Sequence, residues 1–324
     1  MVWIEFVVCS SLMIFFAYQL CKEGIILSQK TRLEEGLIGM FFLAVATSFP
    51  EIVTGSTAVF YLDKIGLGYG DIVGSLIVNL MILLFLDYFA GRGRILLKAS
   101  RITRLTGVFA LVLLLAVLCF AGLRLLGVRI PSFGRVGGES ILIAVMYIVC
   151  LEIVRRTNHK EEKEIYKTEE SFFKLWSKFI LFLAAVMALG VWLAHTGEKI
   201  VNATDLSQTF TGALFLGLAT SFPEMIVTFA ALRAGSINMA IGNIFGSNLF
   251  DVLIIPVLDF LSKTPLLGVL TAGQVMATGA AVLMTIVAVA GLYAKRDTSR
   301  KVSWDTCLIF AIGFMGFMIL YFIN

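Results

Sequence analysis

Glu51 and Glu224 stand near the middle of long apolar stretches, and each closes the same six residues, Ala-Thr-Ser-Phe-Pro-Glu, at 46–51 and 219–224. Inside hydrocarbon an unpaired carboxylate costs roughly 2.5–3.5 kcal/mol on insertion scales, so each glutamate needs a partner. No Lys or Arg lies at a comparable depth, which points to a bound cation in place of a basic side chain. A proton on a raised-pKa acid would serve one carboxyl but is strained for several. The neighbours fit a cation. Thr47 and Ser48 precede Glu51 by four and three residues, Thr220 and Ser221 precede Glu224 in the same way, and on a helix all of them face one side. Pro50 and Pro223 cannot donate a backbone hydrogen bond and clash with the carbonyl four residues back, freeing oxygens at or near Ala46 and Ala219. A helix-kinking proline is ordinary packing by itself. Beside a hydroxyl pair and a carboxylate, twice, it points to a hard-cation site made of oxygen ligands.

A second pair of segments follows, GDIVGSLIVN at 70–79 and GNIFGSNLFD at 242–251. Ser75 and Asn79 are four residues apart, as are Ser247 and Asp251, and Gly74 and Gly246 permit close backbone approach beside them. Ser and Asn also join membrane helices as plain glue, so these four gain weight only from their association with the glutamate segments.

The elements that must carry these residues are membrane helices. Of 324 residues 59% are hydrophobic and 15% charged, and the mean hydropathy is +0.94, outside the range of soluble domains. Apolar stretches at 2–21, 36–60, 70–90, 105–126, 139–154, 177–196, 207–232, 236–260, 266–293 and 304–323 predict ten spanning helices. The first lacks a basic n-region and a small-residue cleavage site and carries Glu5, so it reads as a span and not as a secretory signal. The five cysteines, Cys9, Cys21, Cys119, Cys150 and Cys307, show no C-x-x-C spacing and read as inert packing.

Lys and Arg are unevenly placed. Taking alternate loops, 20 fall on one side and 6 on the other, which puts the first side in the cytoplasm and both termini outside. The basic residues are thus topological signals, and no nucleic-acid partner is expected. Residues 155–176 form a polar cytoplasmic linker without a calcium-loop pattern, between a first five-helix unit at 1–154 and a second at 177–324.

The identical hexapeptides are 173 residues apart and the second segments 172, so the chain is an internal repeat. Five helices per half is an odd number, which forces the halves into opposite membrane orientations. The expected fold is therefore an all-α integral membrane protein, ten transmembrane helices as two inverted five-helix repeats, with a site where the repeats meet.

Taken together, A-T-S-F-P-E with G-S-x-x-x-N and A-T-S-F-P-E with G-S-N-x-x-D resemble the α-repeats of the sodium/calcium exchanger family, within the calcium/cation antiporters. The resemblance implies a central metal-ion set of Glu51, Asn79, Glu224 and Asp251. It further implies sodium ligands from Thr47, Ser48, Ser75, Thr220, Ser221 and Ser247 and from the carbonyls of Ala44 and Gly217, with the first and sixth helices sliding over the core. The chain departs from the usual pattern at three places. Ala46 and Ala219 stand where glycine is common, Leu76 pairs with Asn248, and Asp71 with Asn243. Asp71 lies two turns from Asn79 toward the outer mouth, where it either attracts cations or faces water.

Three carboxylates and an amide suit Ca2+, which takes about 6–8 oxygen ligands, and Na+ ions sharing those carboxylates would compete with it. The expected function is a secondary antiporter exchanging Ca2+ for Na+, with the lipid bilayer as its setting and a prokaryotic inner membrane as its location. No cofactor and no obligatory protein partner is expected. A Ca2+/H+ antiporter of the same superfamily is the alternative. A scaffold, an intramembrane enzyme and a channel are further readings. His159 falls in the linker and His195 has no partner motif, so hydrolysis lacks parts, and no Walker motif is present.

Overall fold

The computed structural model describes residues 2–30, 47–91, 94–157, 171–233, 235–294 and 302–323. Ala44 and Ala46 lie outside the described residues, as does the opening of the second expected span. The protein is mostly helical. The principal helices are α1 (Val2–Lys30), α2 (Phe49–Ser56), α3 (Ile65–Ala90), α4 (Arg101–Leu125), α5 (Gly138–Thr157), α6 (Phe172–Ala203), α7 (Gln208–Arg233), α8 (Ile237–Leu261), α9 (Ala272–Leu292) and α10 (Trp304–Ile323). Among the described residues eight helices, all but α2 and α5, are long and apolar enough to cross a membrane. The expected fifth span is indeed helical as α5, but Glu139, Glu152, Arg155 and Arg156 crowd its ends. The linker expected at 155–176 is helical at its edges, to Thr157 and again from Phe172. A two-residue hairpin, β1 (Ser132–Phe133) with β2 (Val136–Gly137), leads into α5.

Burial ranks the helices. Two thirds of the apolar window of α3 and of α8 is buried (67% each), against 28% for α4 and 33% for α6 and α10. The two helices bearing the second motifs are therefore the centre of the bundle, and the apolar outer faces of the others, such as Phe15, Leu115, Leu181 and Phe314, are left for lipid. α1 and α6 pack Cys9, Met13, Ala17 and Leu20 against Val186, Leu189 and Leu193, in an apolar cluster that also takes in Ala58, Leu67, Leu216 and Ala219 of the core. They run antiparallel. Glu5 pairs with Lys199 at 2.6 Å, the Cys9 thiol donates to the Leu189 carbonyl at 3.5 Å, and Glu23 pairs with Lys178 at 3.4 Å.

The repeat reaches well beyond the motifs. Asp87 and Asp259, 172 residues apart and both fully buried, sit in the last turns of α3 and α8. Each gathers loop amides: Asp87 accepts from Ile95 at 3.0 Å and Ser303 at 2.7 Å, and Asp259 accepts from Leu266 and from Gly137 at 2.8 Å. A 3-10 turn follows in each half, Ile95–Lys98 and Leu266–Val269. Ser100 then caps α4 and Thr271 caps α9, each accepting from the amide three residues on. Ion pairs add further ties, a buried one between Arg94 and Asp305 and a part-buried one between Arg124 and Glu139 at 2.9 Å.

Candidate cation-binding site

Both signature hexapeptides break their helix at the serine. Ser48 has φ −84° and ψ 10°, and Ser221 has φ −83° and ψ −2°. The helix restarts at Phe49 and at Phe222, which places Pro50 and Pro223 in a first turn, where a missing N–H leaves nothing unsatisfied. Glu51 and Glu224 thereby occupy first turns too, where the unbonded amides favour negative charge. In α7 a π-turn at Gly212–Leu216 precedes the break, a distortion the spacing of the prolines does not announce.

Glycines bring the backbones together at this level. A Cβ at Gly74 of α3 or at Gly212 of α7 would overlap the carbonyl oxygens of Ala213 and Leu67 respectively, and one at Gly70 would lie 2.5 Å from the Thr209 oxygen. Around the seam Thr47, Ser48, Glu51, Ser75, Asn79, Thr220, Ser221, Glu224, Ser247 and Asp251 are all buried. Thr47 meets Ser247 at 3.3 Å, and Thr220 meets Ser75 at 3.3 Å. These two contacts interchange when the two sequence repeats are interchanged. Asn79 donates to Asp251 at 3.3 Å, a pair that maps onto itself. Ser48 donates to Glu224 at 3.3 Å and Ser75 to Glu51 at 3.4 Å. These contacts link the expected side chains save that of Ser221, whose hydroxyl is buried without a partner among the described residues, and Ala44 lies outside them. Gly217 is there, but its carbonyl accepts the Ser221 amide at 3.1 Å.

Among the described residues, one buried oxygen on each of Glu51, Asn79, Glu224 and Asp251 has no hydrogen-bond partner, and Asp71, Asn243, Asn248 and the Ser221 hydroxyl add one more each. Buried acceptors left bare cost about 1–3 kcal/mol apiece, more when charged, so the cluster is built to receive positive charge. Among the described residues no three His, Cys, Asp or Glu side chains converge as a compact cage. The carboxylates are interleaved instead with hydroxyls and an amide, an arrangement of hard oxygen donors.

Two residues given no ion-site role in the sequence reading join the cluster. Asn248 donates to the Leu76 carbonyl at 3.3 Å, which accounts for the unequal residues at that repeat position. Asn243 donates to Thr228 at 3.0 Å. Asp71 does not face water: it is fully buried, and Thr220 donates to it at 3.1 Å. The four-residue step from Asp71 to Ser75 to Asn79 is the signal that places it on the site face.

A bundle with buried acids at its centre, hydroxyls between them and lipid-facing walls defines an integral membrane protein that handles cations. The chain belongs to the sodium/calcium exchanger family, whose sequence model, "Sodium/calcium exchanger protein", matches residues 1–155 and 174–323. Members of this family are transporters, not enzymes. Inner membrane protein YrbG of Escherichia coli is 26% identical over 254 residues, 75% of this chain and 74% of its own length. The putative antiporter CaxA of Alkalimonas amylolytica is 27% identical over 225 residues, 67% of each chain. A solved structure of the sodium-calcium exchanger NCX_Mj shares the fold, with a TM-score of 0.65 and 22% identity over 98% of this chain and 99% of that one.

Proposed function

We propose that the protein exchanges Ca2+ for Na+ across a membrane by alternating access. The observation that carries this reading is the unpartnered buried oxygen on each of Glu51, Asn79, Glu224 and Asp251. In this reading those four hold Ca2+, and Na+ ions use the same carboxylates together with Thr47, Ser48, Ser75, Thr220, Ser221, Ser247 and the carbonyls of Ala44 and Gly217. Shared ligands make the two cargoes exclusive. An emptied cluster of buried carboxylates is costly, so the protein changes sides only when loaded, and that is antiport.

We further read the chain as ten spans in two inverted units, 1–154 and 177–324, joined by a cytoplasmic linker at 155–176. Both termini are then extracytoplasmic, in a prokaryotic inner membrane. Support comes from the antiparallel run of the equivalent helices α1 and α6, and from the 20-to-6 division of basic residues.

Purified protein in proteoliposomes tests the coupling. Uptake of radiolabelled calcium is expected under an outward sodium gradient, with sensitivity to voltage because more than two Na+ traded for one Ca2+ moves net charge. Equal uptake under a proton gradient without sodium would hand the assignment to Ca2+/H+ exchange.

A further inference from the structure

α3 carries Asp71, Ser75 and Asn79 at four-residue steps, and α8 carries Asn243, Ser247 and Asp251 at the matching positions. Acid and amide are exchanged between the repeats. The charge missing at Asn79 is present two turns away, at Asp71.

Asp71 is fully buried, and one of its carboxylate oxygens has no partner. The other accepts from Thr220 at 3.1 Å, yet Thr220 has a single proton and also lies 3.0 Å from the Leu216 carbonyl. The same Thr220 hydroxyl touches Ser75 at 3.3 Å. Asp71 is therefore continuous with the central cluster. A Cβ on Gly217 would lie 3.0 Å from the Asp71 carbonyl oxygen, so the backbone of α7 closes over this corner.

The geometry points to a further monovalent-cation subsite in which Asp71, Thr220 and Ser75 hold a sodium ion outside the Glu51, Asn79, Glu224 and Asp251 set. One carboxylate with two hydroxyls balances one positive charge with hard oxygen donors. A divalent ion would draw on further carboxylates, and Glu51, Glu224 and Asp251 belong to the central set. The pathway then contains four buried acids, and its sodium-loaded form takes up more positive charge than a three-carboxylate site. This inference rests on the sodium reading above.

Binding of radioactive sodium to the purified full chain, counted per molecule, tests it. Asp71→Asn is expected to bind about one fewer Na+ per chain and to show a shallower sodium titration, since one carboxylate balances one sodium. Asparagine already fills the matching position of the other repeat, and calcium binding in sodium-free buffer reports that the variant is folded. The double variant Asp71→Asn with Asn243→Asp returns the charge to the cluster and is expected to regain the lost ion. Equal sodium counts in wild type and Asp71→Asn overturn the subsite while leaving the exchange reading intact, as does a difference that proves to be a proton taken up from weakly buffered solution. A wild type that binds no sodium overturns the sodium reading itself.

Discussion

The side-chain amide of Asn79 donates to Asp251 across 3.3 Å, and the two residues hold the same position in the two halves of the chain. The pair is the point where the repeats meet at the site. Its asymmetry is chemical: one member brings charge, the other a donor. Asn79→Asp removes the donor and sets two carboxylates face to face, where like charges disfavour joint ionisation. The variant is expected to lose most sodium-driven calcium flux at neutral pH and to keep a pH- or K+-dependent remainder, while the wild type works without K+. Flux assays in proteoliposomes with and without K+ decide this, and a variant indistinguishable from wild type would remove Asn79 from the central set.

Glu51→Gln and Glu224→Gln keep the shape of each side chain and delete its charge. Each is expected to abolish exchange while the protein stays monodisperse, because the neutral amide cannot balance a buried cation. Chromatography and calcium flux on the same preparation separate lost function from lost folding.

Gly74→Ala would drive a methyl group into the Ala213 carbonyl, backbone that has no rotamer with which to yield. Overpacking of this kind costs about 1–3 kcal/mol. A lower melting temperature in detergent is expected for Gly74→Ala. Gly279→Ala, where the added carbon has no neighbour within 4 Å, is the control and is expected to melt as the wild type does.

Arg94 and Asp305 form a buried pair that fastens the turn after α3 to the start of α10. Removing one partner of such a pair costs about 3–5 kcal/mol, because the other charge is left uncompensated. Arg94→Met is expected to unfold more readily than Arg94→Met combined with Asp305→Leu, and thermal melts of the two variants make the comparison.

Much of the site was legible because its chemistry is repeated. Glu51 and Glu224 stand out as acids in apolar runs, and identical hexapeptides at a fixed shift mark the halves. Asp71 was legible only as a departure from the repeat, since its burial depends on α7 closing over it. The prolines point to a kink with freed carbonyls, and the structure bends the second motif at Ser221, whose amide bonds the Gly217 carbonyl and whose carbonyl accepts from Met225, while Ala46 lies outside the described residues. The Asp87 and Asp259 anchors were not legible: nothing local shows that a carboxylate will gather amides from a loop 216 residues away. The edges of α5 and α6 also escaped a hydropathy reading, since polar residues can extend a helix past its apolar core.

The glycine seam between α3 and α7 has a consequence for how faithfully ions are traded. A contact made of main chain alone has no side-chain rotamers, so the picosecond-to-nanosecond flips that open transient gaps elsewhere have no counterpart at Gly70, Gly74 and Gly212. In the proposed exchange, an ion passing here without its counter-ion would have to wait for two whole helices to part, and the tightness of coupling would depend on residues that carry no charge.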